Sequence, residues 1–311
     1  IRYPDEYGFG NGNHEWSLSP DGTCEWRGDT SSDEITGHFF GMAVYYDLCA
    51  DAGEKELIKK SLGTIAEHII NNSFKLIDRD GKPTTWAMWN PDTLNHDDRW
   101  FGERGTNSLE MLMYLKVCEH ITGDEKYTRL YSEFVSEHAF PLNTMRVKIR
   151  DAHICHIDDN LCFLSLLILL TLEKDETLRK YYLCGLEDLW SYEKIERQPF
   201  FAFIHAVFSD SDNGLSEGVR SLAEMPLDMH NYASDNENRK KLVLDTEQQA
   251  LFEPAQLKEP LPYHELNLSR PNRNVFRISS HGGKMISDGT AFLTPYWFAR
   301  YNGILREAEE K

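Results

Sequence analysis

Four stretches of the chain concentrate residue types that do acid–base chemistry or bind sugars. The first, Trp26 to His38, places Asp29, Asp33, Glu34 and His38 within ten residues. Carboxylates and an imidazole at that spacing suit a general acid or base held at a helix start. The same residues also suit structure: Asp33 as an N-cap, Glu34 beside the positive end of the helix dipole, and His38 on the inward face with Ile35 and Met42. The second, Asn95 to Asn107, sets Asp97, Asp98, Arg99, Glu103 and Arg104 beside Trp100 and Phe101, with Trp86 and Trp89 upstream. Ring faces cover the apolar side of a pyranose, while charged groups take its hydroxyls or a uronate. A packed loop with Glu103 and Arg104 in structural ion pairs is the competing account.

The third stretch, Asp151 to Asn160, holds His153, His156, Asp158 and Asp159. These types could ligate a metal. The polar–apolar alternation running into a helix start instead favours a catalytic or substrate-binding role, or capping with core packing. The fourth runs from His281 through Gly282-Gly283 to Thr290, followed by the aromatic stretch to Tyr301. Its glycines permit tight turns or close backbone approach, and Asp288 or Thr290 suits the cap of a closing helix. No GxxxxGK[ST] loop and no GxSxG elbow occurs, so nothing points to a phosphate loop or an elbow-type serine hydrolase.

The elements that must carry these residues are helical and come in pairs. Apolar spacing predicts helices from Asp33 and over 54–71, then 105–121 with 125–138, 157–172 with 176–192, and more weakly 199–208 with 215–224. A last helix lies near 290–303. The turns Asp51-Ala52-Gly53, Thr122-Gly123-Asp124 and Glu173-Lys174-Asp175 resemble one another, a weak repeat that marks stacked helical hairpins. Turns within pairs are short, whereas 72–104, 139–156 and 225–289 are long. In an up-down array the long connections fall at one end, with the polar and aromatic clusters, and long loops in compact domains are usually functional. Phe74-Lys75-Leu76-Ile77 and Thr84-Thr85-Trp86 flank Asp80-Gly81 as a β-hairpin.

Composition narrows the partners. A net charge of −18 over 311 residues disfavours nucleic acid, which needs a basic surface. The longest apolar run, Leu161 to Leu170, is far short of the roughly 18–20 residues of a membrane helix. Six cysteines are scattered without a CxxC pair, and Cys49, Cys118 and Cys162 sit in helical apolar patterns as small hydrophobes. They leave the compartment open. The start at Ile1 without methionine or signal-like sequence points to a segment upstream.

At Trp26 to His38, Glu103-Arg104-Gly105-Thr106-Asn107-Ser108-Leu109-Glu110, His156 to Asn160 and Asp288 to Tyr301, the chain resembles bacterial (α/α)-toroid proteins near the uronic-acid-active glycoside hydrolases, β-glucuronidase-type members included, and polysaccharide lyases. The resemblance runs from about 25 to 305. It implies a mainly α fold, an (α/α)6-toroid-like array of hairpins with small β-hairpins in its long loops. That array forms one domain over 1–311, with 225–289 as a loop-rich insertion. A full six-hairpin ring needs more helices than are read here, so the ring is open or continues upstream.

The expected chemistry is hydrolysis of a glycosidic bond beside a uronic acid. One carboxylic acid protonates the leaving oxygen and a carboxylate activates water, about 6.5–9.5 Å away for inversion or about 5–5.5 Å for retention. Asp33 or Glu34 is expected as one partner and Asp158 or Asp159 as the other. Arg99 and Arg104 are expected to clamp the uronate, Trp89 or Trp100 to stack on sugar, and Glu103 and His156 to contact substrate. Neither cofactor nor metal is required. The expected partner is an oligo- or polysaccharide, with no nucleic acid and no membrane span. A lyase using His38, His156 or a tyrosine as base is the nearest alternative. A non-catalytic glycan-binding module and a helical-repeat interaction protein are the others.

Overall fold

The computed structural model describes residues 16–148, 156–209, 211–226, 244–245, 256–260, 275–276 and 288–306. The chain divides into two compact units, Ile1–Phe140 and Pro141–Lys311. Both are mainly helical.

In the N-terminal unit, a two-stranded antiparallel ladder of β1 (Trp16–Leu18) and β2 (Glu25–Arg27) leads into α1 (Ser32–Leu48) and α2 (Ala52–Asn71). A hairpin of β3 (Lys75–Ile77) and β4 (Pro83–Met88) follows, then the short α3 (Pro91–His96), a 3-10 turn at Asp98–Trp100, α4 (Arg104–Thr122) and α5 (Glu125–Ser136). The β3–β4 hairpin turns at Gly81, with φ +80°, as its Asp-Gly sequence predicts. The organising helix is α4. It is buried along nearly its whole length and packs against α1, α2, α3 and α5. A helix enclosed on every side carries no polar face to give it a stripe.

The C-terminal unit contains α6 (Phe140–Thr144, at the division), α7 (His156–Leu172), α8 (Glu176–Glu193), a 3-10 turn at Lys194–Glu196, α9 (Pro199–Phe208), α10 (Leu215–Glu224) and α11 (Thr290–Tyr301). A short ladder pairs β5 (Leu244–Asp245) with β6 (Gln256–Leu257). The apolar α9 is buried from Pro199 to His205 and packs against α7, α8, α10 and α11. Phe163 and Phe201 stack at 4.2 Å. Gly185 on α8 faces the Thr144 carbonyl oxygen so closely that a Cβ there would overlap it.

Each of the three similar turns supplies an aspartate N-cap to the helix after it. Asp51 accepts from Glu54 N, Asp124 from Lys126 N, and Asp175 from Thr177 N and Leu178 N. Each satisfies backbone donors that the first helical turn leaves without a carbonyl. The turn before Asp124 is closed by Gly123 at φ +68°, a left-handed conformation that glycine adopts without strain.

His205 gives this unit a pH-dependent term. Its ring is almost fully buried and stacks on Trp190 at 5.0 Å. Burial lowers its pKa below 6.5, against an opposing contribution from Glu187, and Lys194 adds to the lowering. The unfolded chain therefore takes up a proton that the folded ring refuses. Stability is complete above about pH 6.5 and declines as pH falls toward the lowered folded value. Melting temperatures measured between pH 7.5 and 5 should fall more steeply for the wild type than for His205→Gln; parallel curves would remove this term.

Candidate functional site

The start of α1 is built by a reciprocal cap. The Ser31 hydroxyl accepts from Asp33 N, and Glu34 accepts from both the backbone N–H and the hydroxyl of Ser31. The N-cap is thus Ser31 and not Asp33, because Ser-x-x-Glu satisfies two end groups at once. Glu34 is exposed but engaged in that cap, while Asp33 is half-buried in the first turn. The buried stripe of α1 is Ile35, Thr36, Phe39 and Ala43. His38 lies about 100° from Phe39 around the helix and is exposed, which corrects its expected inward position.

Upstream, Asp29 adopts φ +51° and ties this segment to the hairpin. Its carboxylate accepts from Thr85 N at 2.7 Å and Thr85 Oγ1 at 2.9 Å, while its own N–H donates to Asp78 Oδ2 at 2.7 Å. Gly28 leaves room for Asp78, since a Cβ there would come within 2.6 Å of the same oxygen. The next residue along β4, Trp86, is 55% exposed.

Beneath this surface lies a buried polar network that the sequence clusters did not single out. Glu110 of α4 accepts from Thr36 Oγ1 at 3.1 Å and Trp89 Nε1 at 2.8 Å. Thr36 Oγ1 also lies 2.7 Å from the Tyr114 hydroxyl, and Asn107 Nδ2 donates to Met88 O at 2.9 Å. Burial, then the charge of Glu110, raises the Tyr114 pKa well above 10, so this phenol stays protonated. Trp89 is fully buried, with Tyr114 edge-on at 5.3 Å. Its faces are not open to a sugar, which corrects its expected stacking role. The exposed tryptophan of the segment is Trp86.

In the 97–104 connection, Arg99 is exposed and bonded through Nε and Nη2 to Asp97, whose pKa it lowers to about 2. Arg104 is half-buried. Its Nε donates to Leu94 O at 2.6 Å and its Nη2 to Asn95 O at 3.2 Å, and the guanidinium lies 5.2 Å from the Phe101 ring centroid. These bonds tie off the C-terminal carbonyls of α3 and commit part of the expected clamp to structure. Glu103 precedes α4 without a side-chain capping bond, and Trp100 beside it is half-buried.

In the C-terminal unit, Asp158 and Asp159 occupy the first turn of α7. Asp158 is half-buried. Asp159 is 2% exposed and pairs with the buried Lys148 at 2.6 Å. Burial alone would lower the Lys148 pKa, but the charges of Asp159 and Asp158 and the hydrogen bond to Asp159 outweigh it, and the net shift is upward. The 3-10 turn after α8 brings Glu193 and Glu196 to the same place, and one oxygen each from Asp159, Glu193 and Glu196 lie within 4.8 Å of one another. Three carboxylates of this kind suit a hard cation, although Lys148 already places an ammonium on one of them. The helix starts at His156, whose side chain lies outside the described residues, as do His153 and the His281–Gly283 stretch. Asp288, within them, accepts from Thr290 N at 2.9 Å at the head of α11.

The class these features define is a mainly helical protein built from antiparallel hairpins, with polar and aromatic residues on the connections into α1, α4 and α7. Comparison of the chain with family models, curated proteins and solved structures gave no match. Among the described residues, no helix is long and apolar enough to cross a membrane.

Proposed function

We propose that the protein is a glycoside hydrolase that cleaves uronic-acid-containing oligo- or polysaccharides on an (α/α)-toroid-like scaffold. One observation carries this reading. In the N-terminal unit the starts of α1 and α4 and the β3–β4 hairpin are bonded together, through Thr36–Glu110–Trp89 and Asp29–Thr85, and the exposed ring of Trp86 follows directly on the anchored Thr85. An exposed ring on an anchored strand offers a pyranose an apolar face held in one place.

Of the carboxylates expected to act in the N-terminal unit, Glu34 is engaged in its cap, and Asp33, half-buried in the first turn of α1, is the residue put to the test as general acid or base. Arg99, exposed and carrying a guanidinium that is charged at any working pH, serves the uronate. Tyr114 is a poor base for the alternative elimination, because its phenol holds its proton.

Incubating the full chain with a panel of uronic-acid oligosaccharides should release reducing ends without an ultraviolet-absorbing product. Asp33→Asn should lower kcat by roughly 10²-fold or more, the scale of general acid–base catalysis. Trp86→Ala should raise KM with kcat retained. A conjugated, ultraviolet-absorbing product would assign elimination instead. No turnover on any member of the panel would sink the enzyme reading.

A further inference from the structure

Three side chains of the C-terminal unit, outside the four stretches singled out in the sequence, form a hydrogen-bonded line from a hydroxyl to a carboxylate. Ser209, the C-cap of α9, holds Oγ 3.3 Å from His205 Nδ1. His205 Nε2 lies 3.0 Å from Oε1 of Glu187 on α8. We propose that Ser209, His205 and Glu187 are a nucleophile, base and orienting acid for hydrolysis of carboxylic esters with a small acyl group, an activity separate from glycosidic cleavage.

The partners fix the tautomer the chemistry needs. A proton on Nε2 is donated to the Glu187 carboxylate, which leaves the Nδ1 lone pair for the Ser209 hydroxyl. The ring is turned the other way from the usual Ser–His–Asp arrangement, but the requirement is the same: one nitrogen as base and the other held by a carboxylate. Burial keeps the imidazole neutral, as a base must be. Trp190 fixes the ring plane, stacking on it at 22°, and is itself held by its Nε1 bond to Asn213 O at 3.1 Å and by Gly214, where a Cβ would come within 2.5 Å of the indole. The base therefore sits on packed elements with little freedom to turn away.

Ser209 is half-buried, and the 211–213 segment after it is exposed, so a carbonyl can approach from solvent. The Ser209 hydroxyl also lies 3.3 Å from Ser211 O, a second acceptor for its proton. The backbone N–H groups of Ser211 and Asp212 donate to no group among the described residues and offer donors to an oxygen that gains negative charge. In the first step Ser209 Oγ bonds to the ester carbonyl carbon as its proton passes to Nδ1. The C–O bond to the alcohol then breaks and the departing oxygen takes that proton. Water, giving a proton to Nδ1, attacks the acyl-serine; the carboxylic acid leaves and the serine regains its hydrogen.

The test uses the full chain with p-nitrophenyl acetate as substrate and a fluorophosphonate as covalent probe. The expected result is one phosphonyl group on the peptide containing Ser209, lost in Ser209→Ala together with a fall in kcat/KM on the order of 10²–10³-fold. Glu187→Gln, at an exposed position that does not threaten folding, should lower kcat about tenfold or more with unchanged circular dichroism. Wild-type ester turnover in Ser209→Ala, or an unlabelled Ser209 in the folded wild type, would overturn the proposal. Neither result bears on glycoside turnover, which is read on a different substrate.

Discussion

Lys148→Met is expected to cost about 3–5 kcal/mol of unfolding free energy, enough to leave a domain of ordinary stability barely folded. The reason is the company the ammonium keeps. Lys148 and Asp159 are 6% and 2% exposed, and Glu193 and Glu196 are buried in the same place. Methionine fills much of the volume but brings no charge, so the buried Asp159 loses the ammonium 2.6 Å from it. Removing one member of a buried pair is far more damaging than replacing both, so Lys148→Met/Asp159→Leu should recover part of the loss. Urea unfolding followed by circular dichroism measures both variants. A single variant within about 1 kcal/mol of wild type would show that the pair contributes nothing net, as surface pairs often do.

Trp89→Ala is expected to cost a similar amount, about 3–5 kcal/mol, from the cavity a lost indole leaves in a core that relaxes only in part. The indole also donates to Glu110, so the substitution removes a donor from a buried carboxylate as well. Trp89→Phe separates these effects. It keeps most of the ring and loses only the N–H, with an expected cost of about 1–3 kcal/mol. Denaturant midpoints rank the three proteins. Had Trp89 been a sugar platform, the phenylalanine variant would change KM and leave stability alone, so a stable Trp89→Phe protein would contradict its place in the core.

Much of the helical framework is readable from residue order because its signals are local. Asp51, Asp124 and Asp175 announce three helix starts, and the long amphipathic helices follow within one or two residues of their expected bounds. The β3–β4 hairpin is likewise carried by Asp80-Gly81 between alternating residues. What is lost where a helix is buried all round is its orientation, not its existence. The helix over 199–208 is found where expected, but the run is apolar on every side, so no stripe says which neighbours it packs against in the C-terminal unit. The short α3 went unread, although Asn90-Pro91, a cap followed by proline in the first turn, is a recognisable start.

The site residues divide in the same way. Clusters contiguous in sequence could be found by eye, but proximity along the chain did not say which members face inward. His38 is exposed because the stripe of α1 runs through Phe39, and Trp89, expected to stack on sugar, instead follows β4 inward to donate to Glu110. The partners that matter came from far away. Glu110 reaches residues 74 and 21 positions distant, and Lys148 sits just before the stretch that holds Asp159. The available signal was a lone charge inside an apolar run, Leu109-Glu110-Met111-Leu112, since a carboxylate in such company must find donors. Glu187 gave no signal, because only the packing of α8 on α9 brings it to the imidazole, whereas Ser209 follows His205 by four residues, a helical spacing visible in the sequence.

The glycine at 185 has a reach beyond its own helix. Thr144, whose carbonyl oxygen rests against it, lies four residues before Lys148 on the same short segment, and Val147 packs beside it. Any heavier residue at 185 would push that segment outward and draw the ammonium away from Asp159. A hydrogen atom on one helix thus decides whether a charge on another segment is neutralised. Under mutation, positions 185 and 148 should therefore fail together, although the two side chains share no bond.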